Sequence, residues 1–171
     1  MRQRPASNPD ERGLMAAQRG FTLIELMVTV AIIAVLATLS LPVLEVSRQR
    51  AREADLRHAL REIRSALDAY KAAADAGDIE LGPEASGYPP NLEVLVQGAP
   101  FRNKERKGRL YLLRSLPRDP MEPRTELPAA ATWALRSYAS EAADPQEGAD
   151  VYDVRSRSTK LGLNGAAYST W

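Results

Sequence analysis

Apolar residues are concentrated in one long segment near the start of the chain, which runs from Phe21 to Leu44. Its last 19 residues, 26–44, contain no charged side chain. As a helix with a rise of about 1.5 Å per residue, the segment would extend about 36 Å, whereas the hydrocarbon core of a bilayer is about 30 Å thick. The pattern therefore predicts a transmembrane helix over residues 21–44, in which Pro42 kinks or loosens the preceding turn.

After Leu44 the apolar positions become periodic. They recur at alternating spacings of four and three, which is typical of one face of a helix. The stripe consists of Leu56, Leu60, Ile63, Leu67 and Tyr70. No Pro or Gly interrupts residues 43–76, so we expect one helix from about Thr22 to Ala76, ended by Gly77 at the C′ position. Its second half, residues 45–76, is predicted to pack its stripe onto a globular head.

Residues 77–171 carry only short patterns and are predicted to form that head. Residues 90–96 favour a short helix opened by Pro90, and Asn164-Gly165 is a turn signal. Strands or extended segments are predicted in three short runs, namely residues 110–116, 133–138 and 151–154. Together these elements predict an α+β fold in which the long helix packs on a small antiparallel sheet.

Composition excludes several classes of function. The 22 acidic and 23 basic residues leave a net charge of +1, which gives no support for nucleic acid as a partner. The absence of cysteine excludes disulfides, thiolate metal sites and cysteine nucleophiles. The single histidine, His58, lies in a charged helical stretch, where a solvated position is favoured over a catalytic one. We therefore expect no catalytic site, no metal site and no cofactor.

The first residues of the chain differ from the rest. Residues 1–20 are polar, and Pro5, Pro9 and Gly13 oppose a stable helix there. This composition predicts a leader peptide that is removed rather than folded. Arginines flank the apolar segment on both sides, so counting positive charges does not decide the orientation of the helix.

The junction Gly20-Phe21-Thr22-Leu23-Ile24-Glu25, followed by an apolar run, resembles the processing site of type IV pilins and pseudopilins. The resemblance implies a pilin-like fold and cleavage by a prepilin peptidase between Gly20 and Phe21. It also implies N-methylation of Phe21, and it identifies Glu25 as the glutamate that such subunits use in assembly. Pro42 matches the helix proline of the same family.

Glu25 has a chemical rationale apart from the resemblance. A carboxylate at the start of a membrane helix is costly unless a positive group compensates it, although the helix N-terminus itself favours negative charge. Cleavage after Gly20 creates a cationic amine at Phe21. The amine of a neighbouring subunit is therefore an available partner for Glu25, and Thr22 and Thr29 extend a polar edge on the same helix face.

The head is similar to that of the major pseudopilin of type II secretion. The similarity rests on Tyr88-Pro89-Pro90, Leu92, Leu95, Tyr111-Leu112, residues 116–120, Trp133 and Tyr138. It implies a structural subunit of a pseudopilus, held in the inner membrane by a single span with the head in the periplasm. The implied partners are prepilin peptidase, other copies of the chain, other pseudopilins, an inner-membrane assembly platform and the lipid bilayer.

The chain departs from those pseudopilins where they bind calcium, in an acidic and glycine-rich C-terminal loop. Residues 153–162 contain three basic side chains and no acid after Asp153, a poor set of ligands for a hard cation. The nearby acids are predicted to form a solvated turn; they are Asp144, Glu147, Asp150 and Asp153. We expect apolar anchors to close the head instead, namely Tyr152, Leu161, Leu163, Tyr168 and Trp171.

Two other functions stay open at this point. One is a minor pilin of a type IV pilus or of a DNA-uptake machine. The other is an enzyme or sensor head on a signal anchor, for which the sequence contains no phosphate-binding loop, no metal-ligand spacing and no nucleophile with a base.

Overall fold

The computed structural model of the protein describes residues 20–83 and 85–171, without the side chains of residues 38–43. The predicted leader therefore lies outside the described residues except for Gly20, and so does the side chain of Pro42. The chain divides into two compact units, Met1–Val43 and Leu44–Trp171. We call the second unit the head.

One helix, α1, spans Leu23–Asp75 and belongs to both units. It ends as the sequence predicts. Gly77 has a φ of 76°, its N–H donates to the Ala74 carbonyl, and the Asp78 N–H donates to the Ala73 carbonyl, each at 3.0 Å. This is the Schellman arrangement, in which a glycine in the left-handed conformation lets the chain turn back and satisfy the last helical carbonyls.

The apolar stripe of α1 forms the centre of the head. All five of its predicted residues are buried, with exposures between 0% and 5%. They pack with apolar residues from the rest of the head, among them Ile79, Leu92, Leu95, Trp133, Val151, Val154 and Tyr168. The period of the sequence therefore predicts correctly which face of α1 is covered.

The remaining elements are short. Helix α2 spans Glu93–Gln97, and strands β1 (Ala99–Pro100) and β2 (Arg109–Leu110) form an antiparallel pair. A second antiparallel pair joins β3 (Trp133–Arg136) to β4 (Asp153–Ser156), with Trp133 opposite Ser156. Two 3₁₀ turns lie at Ala129–Thr132 and Tyr168–Thr170. The predicted α+β, pilin-like fold is confirmed, with two small sheets in place of one.

Four of the predicted elements have the wrong bounds. The helix predicted at residues 90–96 begins at Glu93 and ends at Gln97. For the three predicted strands, backbone hydrogen bonds explain the difference. Of residues 110–116 only Leu110 is in a strand, because the N–H groups of Leu112 and Leu113 donate to the Leu95 carbonyl instead. The strand at 133–138 ends at Arg136, since the Ser137 N–H donates to the backbone carbonyl of Gln146 and not to a neighbouring strand. The strand at 151–154 begins two residues later, since the Val151 N–H donates to Pro89.

Candidate functional site

The predicted cleavage junction is open to a second protein. Gly20 and Phe21 precede the first residue of α1, and Phe21 is 81% exposed. A Cβ added at Gly20 would meet no atom within 4 Å. The fold therefore does not require glycine here, and a requirement for it would come from an enzyme that approaches the backbone.

The start of α1 is capped by Thr22, a role that was not predicted for this residue. The Glu25 N–H donates to Thr22 Oγ1 at 3.2 Å, and the Leu26 N–H donates to the Thr22 carbonyl at 3.1 Å. Thr22 is thus the N-cap and Glu25 occupies position N3, the spacing of a capping box. A threonine three residues before a glutamate at the edge of an apolar run is a signal that predicts this cap from sequence.

The polar edge of the helix contains one unused group. The Thr29 hydroxyl donates to the Leu26 carbonyl at 2.9 Å, and the Thr22 hydroxyl oxygen serves the cap. The carboxylate of Glu25 is exposed and forms no ion pair or hydrogen bond with any described residue. It is therefore free to receive a cation from another molecule.

The first unit presents an extensive apolar surface. Eight large side chains of α1 before residue 34 are 51–76% exposed: Leu23, Ile24, Leu26, Met27, Val28, Val30, Ile32 and Ile33. A continuous apolar surface of this kind marks contact with other protein or with lipid. In the described part of the chain, no helix has both the length and the hydropathy required to cross a membrane.

In the head, a buried carboxylate holds the C-terminal segment against α1. Glu53 is 3% exposed and accepts hydrogen bonds at Oε1 from the Leu163 N–H at 2.7 Å, the Tyr168 hydroxyl at 3.0 Å and Gln49 at 3.4 Å. Arg57 lies 3.4 Å from Oε2. Burial favours the protonated form, but the hydrogen bonds from Leu163 and Tyr168 and the charge of Arg57 outweigh it, so the pKa of Glu53 is lowered.

Glu53 is not among the residues predicted from the sequence, although its position carries a signal. Glu53 lies three residues before Leu56 and so extends the apolar stripe backwards with the same alternating spacing. An acid on the buried face of a helix needs donors, and here two of them come from a segment more than 100 residues later.

A second polar contact, made by Arg64 of α1, holds the C-terminal segment and β4 against the helix. Arg64 donates to Asp153 Oδ1 at 2.7 Å, to the Val154 carbonyl at 3.0 Å and to the main-chain oxygen of Trp171 at 3.0 Å. The planar guanidinium can serve three acceptors at once, so one arginine joins α1, β4 and the C-terminal turn.

The segment at 116–120, which resembles the major pseudopilin, has a structural role in the head. Asp119 is 3% exposed and accepts the Ser156 hydroxyl at 2.6 Å, while its own N–H donates to Thr132 at 3.1 Å. The Trp133 indole N–H donates to the Pro117 carbonyl at 2.9 Å. These bonds anchor the loop to both strands of the second sheet.

The four acids predicted to form a solvated turn each have a protein partner. Asp150 accepts the Ser137 hydroxyl and the Tyr138 N–H, each at 2.8 Å, and Asp153 binds Arg64. Burial favours the protonated form of Asp150, but these hydrogen bonds and one from Ser86 lower its pKa. Asp150 and Asp153 are only partly exposed, so for them the prediction of a solvated turn is wrong. The other two bind neighbours: Asp144 binds Gln146, and Glu147 binds Arg157.

The predicted apolar anchors are partly correct. Tyr168 is 3% exposed, and its ring meets that of Trp171 edge-on at 5.1 Å, with the Arg57 guanidinium 4.3 Å from the Trp171 ring. Leu161 and Leu163 are 64% and 45% exposed, so their assignment as anchors is wrong. The segment is held there by its backbone, through the Leu163 N–H, and not by those side chains.

Two predicted side chains lie away from these contacts. Tyr152 is partly buried among aromatic rings, and its ring centroid lies 5.1 Å from that of Tyr88 and 5.6 Å from that of Tyr138. The side chain of His58 is 75% exposed and lies 3.9 Å from Glu62, which confirms the predicted solvated position.

Comparison with known proteins gives two matches. Residues 15–41 match the family model described as the prokaryotic N-terminal methylation motif. The type II secretion system core protein G of Klebsiella pneumoniae is 33% identical over a match of 110 residues, and the match covers 62% of this chain and 71% of that protein. No solved structure gives a significant match.

Proposed function

The chain belongs to the family of the type II secretion system core protein G, the G-type pseudopilins. From this membership we propose how the chain is processed and how its copies join in a filament. It is a structural subunit of a type II secretion pseudopilus that prepilin peptidase processes and that assembles with other pseudopilins. Members of this family are structural proteins rather than enzymes.

Prepilin peptidase cleaves between Gly20 and Phe21 and methylates the new amine of Phe21. The matched motif contains this junction, and two features of the fold support the assignment. The peptide bond lies outside α1, and the residues on both sides of it are exposed. The enzyme therefore does not need to unwind a helix to reach the bond.

In the filament, the carboxylate of Glu25 pairs with the Phe21 amine of a neighbouring subunit. The observation that carries this proposal is that Glu25 retains an unpaired carboxylate on an edge whose two threonines, Thr22 and Thr29, already form hydrogen bonds within α1. In an apolar assembly each charge is costly alone, so the pair favours only those arrangements that bring the two groups together.

Residues 21–44 anchor the subunit in the inner membrane before assembly and pack against other subunits afterwards. Residues 45–76 continue the helix through the head, and the head, including its globular part at residues 77–171, lies in the periplasm. The exposed apolar side chains between Leu23 and Ile33 support this division. The bilayer and an inner-membrane assembly platform are then partners of the chain, in addition to the peptidase and the other pseudopilins.

The experiment compares Glu25→Gln with Glu25→Ala in cells that contain the secretion system. Both variants keep the Thr22 cap, because the Glu25 N–H is unchanged, and both should be cleaved, as intact mass spectrometry of the extracted protein would show. We expect at least about tenfold less sheared filament from each variant, since the unpaired charge left on the Phe21 amine costs several kcal/mol and about 1.4 kcal/mol is already a factor of ten.

The glutamine variant distinguishes charge from shape, and Thr29→Val is the matched control because it removes a polar group that already has a partner. Normal filament yield from Glu25→Gln would show that the amine–carboxylate pair is not needed. Uncleaved protein in the presence of an active peptidase would instead overturn the assignment of Gly20 and Phe21.

A further inference from the structure

A cleft of about 420 Å³ lies in the head, between the first turns of α1 after Leu44 and the segment that follows β4. Its α1 side is formed by residues at positions i, i+3, i+4 and i+7, which share one helix face. These are Glu45, Arg48, Gln49 and Arg52. The opposite side includes Ser158 and Lys160. We call this feature the basic cleft.

The basic cleft has an excess of positive charge. Arg48, Arg52 and Lys160 line it against a single acid, Glu45. None of these three cations forms an ion pair or a side-chain hydrogen bond with a described residue. Elsewhere in the head, Arg57 and Arg64 each bind a carboxylate. What distinguishes the cleft is that three cations without a carboxylate partner among the described residues line one concavity together.

The cleft also offers a neutral donor. Ser158 Oγ accepts the Lys160 N–H at 3.4 Å, while its own O–H has no acceptor among the described residues. The side chains of Gln49 and Tyr168, which also line the cleft, already form hydrogen bonds within the head: Gln49 donates to the Tyr168 hydroxyl at 3.0 Å, and Tyr168 donates to Glu53. Two guanidinium groups, an ammonium and a hydroxyl form a donor set that suits a phosphate group, and they outnumber the one carboxylate of the cleft, Glu45.

We propose that the basic cleft binds a phosphate group, and that this group is the headgroup of an anionic phospholipid. The position of the cleft favours a lipid over free phosphate. Arg48 follows the last residue of the apolar run, Leu44, by four residues of α1, or about 6 Å. The choice of lipid rests on the proposed membrane anchoring of residues 21–44, whereas phosphate recognition does not.

A bound headgroup would tie the head to the membrane surface while a subunit waits for assembly. Each lysine or arginine near an anionic surface adds about 1 kcal/mol of attraction, so three of them correspond to about a 100-fold effect on affinity. The headgroup would have to leave the cleft when the subunit moves into the filament.

The test uses the full chain in nonionic detergent micelles, where neither cleavage nor filament formation is needed. Native mass spectrometry counts bound phosphatidylglycerol and, in parallel, zwitterionic phosphatidylcholine. Arg48→Gln, Arg52→Gln and Lys160→Gln are combined in one variant. The matched control combines Arg102→Gln, Lys104→Gln and Lys107→Gln, which remove the same charge from exposed positions between β1 and β2.

We expect the unmodified chain and the control to bind phosphatidylglycerol in preference to phosphatidylcholine, and the cleft variant to lose this preference, with an affinity lower by about 100-fold. Glu45→Gln should raise the affinity by about two- to fivefold, because it removes the single negative charge of the cleft. A gain of affinity cannot arise from misfolding.

Equal binding by the cleft variant and the control would overturn the proposal, as would an unchanged affinity in both the cleft variant and Glu45→Gln. Binding of inorganic phosphate that depends on the three cations, without a preference for phosphatidylglycerol, would overturn the lipid assignment and support a site for free phosphate. Failure of filament assembly in cells would bear on Glu25 and leave the micelle result unchanged.

Discussion

Replacing Glu53 by alanine is expected to release the C-terminal segment from α1. The carboxylate accepts the Leu163 N–H and the Tyr168 hydroxyl, and in the variant both donors lose their acceptor. The aromatic contact between Tyr168 and Trp171 depends on the same placement of the segment. Glu53 should therefore matter more to the stability of the head than an ordinary glutamate on a helix.

The magnitude follows from the two donors. A buried donor without a partner costs about 1–3 kcal/mol, so the pair costs about 2–6 kcal/mol. Because Leu163 is 45% exposed and its hydrogen bond is only partly buried, we expect the lower part of that range, about 2–4 kcal/mol. Glu53→Gln keeps one acceptor oxygen but loses the charge, which reduces the expected cost to about 1–2 kcal/mol.

The assay is urea unfolding of the head, Leu44–Trp171, which forms a compact unit. Free energies of unfolding are compared at neutral pH for the unmodified head, Glu53→Gln and Glu53→Ala, with slopes checked for equality. Tyr168→Phe removes one donor and should cost about 1 kcal/mol. Tyr111→Phe is its matched control, because the Tyr111 side chain is 64% exposed and should change nothing measurable.

The pH dependence supplies an independent check. The pKa of Glu53 is lower in the folded head than the usual glutamate value. Its stabilising contribution is therefore complete above the unfolded-state pKa of about 4.3 and is lost as the pH falls through the folded-state pKa. The stability difference between the unmodified head and Glu53→Gln should shrink on acidification below that value.

Two results would refute this reasoning. If Glu53→Ala and Glu53→Gln both unfold within about 0.5 kcal/mol of the unmodified head, a range usual for surface substitutions, the carboxylate does not hold the segment. If the difference between the unmodified head and Glu53→Gln grows in acid, the sign of the pKa shift is wrong.

Two further predictions concern metal and processing. The head should have the same melting midpoint with calcium and with a chelator. Deletion of residues 168–171 should lower the midpoint, because Tyr168 is buried against α1. A chelator that lowered the midpoint by many degrees would reveal a calcium site. Gly20→Ala should leave membrane insertion intact, since no atom of the fold lies within 4 Å of an added Cβ. A bulky residue in place of Gly20 should block cleavage, because the peptidase must approach the backbone there. Intact mass spectrometry with and without the peptidase decides the second prediction. If the chain with Gly20 has the same mass in both samples, with residues 1–20 retained, the prediction is contradicted.

Features encoded by neighbouring residues were predictable from sequence. The stripe from Leu56 to Tyr70 follows from helix periodicity, and the end of α1 follows from Gly77, because both depend on residues within a few turns of each other. The junction at Gly20 and Phe21 is likewise a local motif, which is why the matched family model covers the same stretch. The Thr22 cap was equally local and could have been read from Thr22 and Glu25.

The short strands were less predictable because their bounds depend on distant partners. Leu112 and Leu113 are residues that suit a strand, but their N–H groups donate to the carbonyl of Leu95, the middle residue of α2. Val151 in the same way donates to Pro89 and not to a neighbouring strand. Backbone donors take whichever acceptor the packing of the core brings near, and strand propensity does not identify that acceptor.

By itself, the sequence determined the long helix, its buried face and the processing motif, since each is a matter of local spacing and of where apolar residues stand. Only the tertiary structure decided which charges are paired. It joined Glu53 to Leu163 and Tyr168 and joined Arg64 to Asp153, while it left Arg48, Arg52 and Lys160 around an open cleft. Charged residues look alike in a sequence, and their roles differ because folding brings donors and acceptors together from positions about a hundred residues apart.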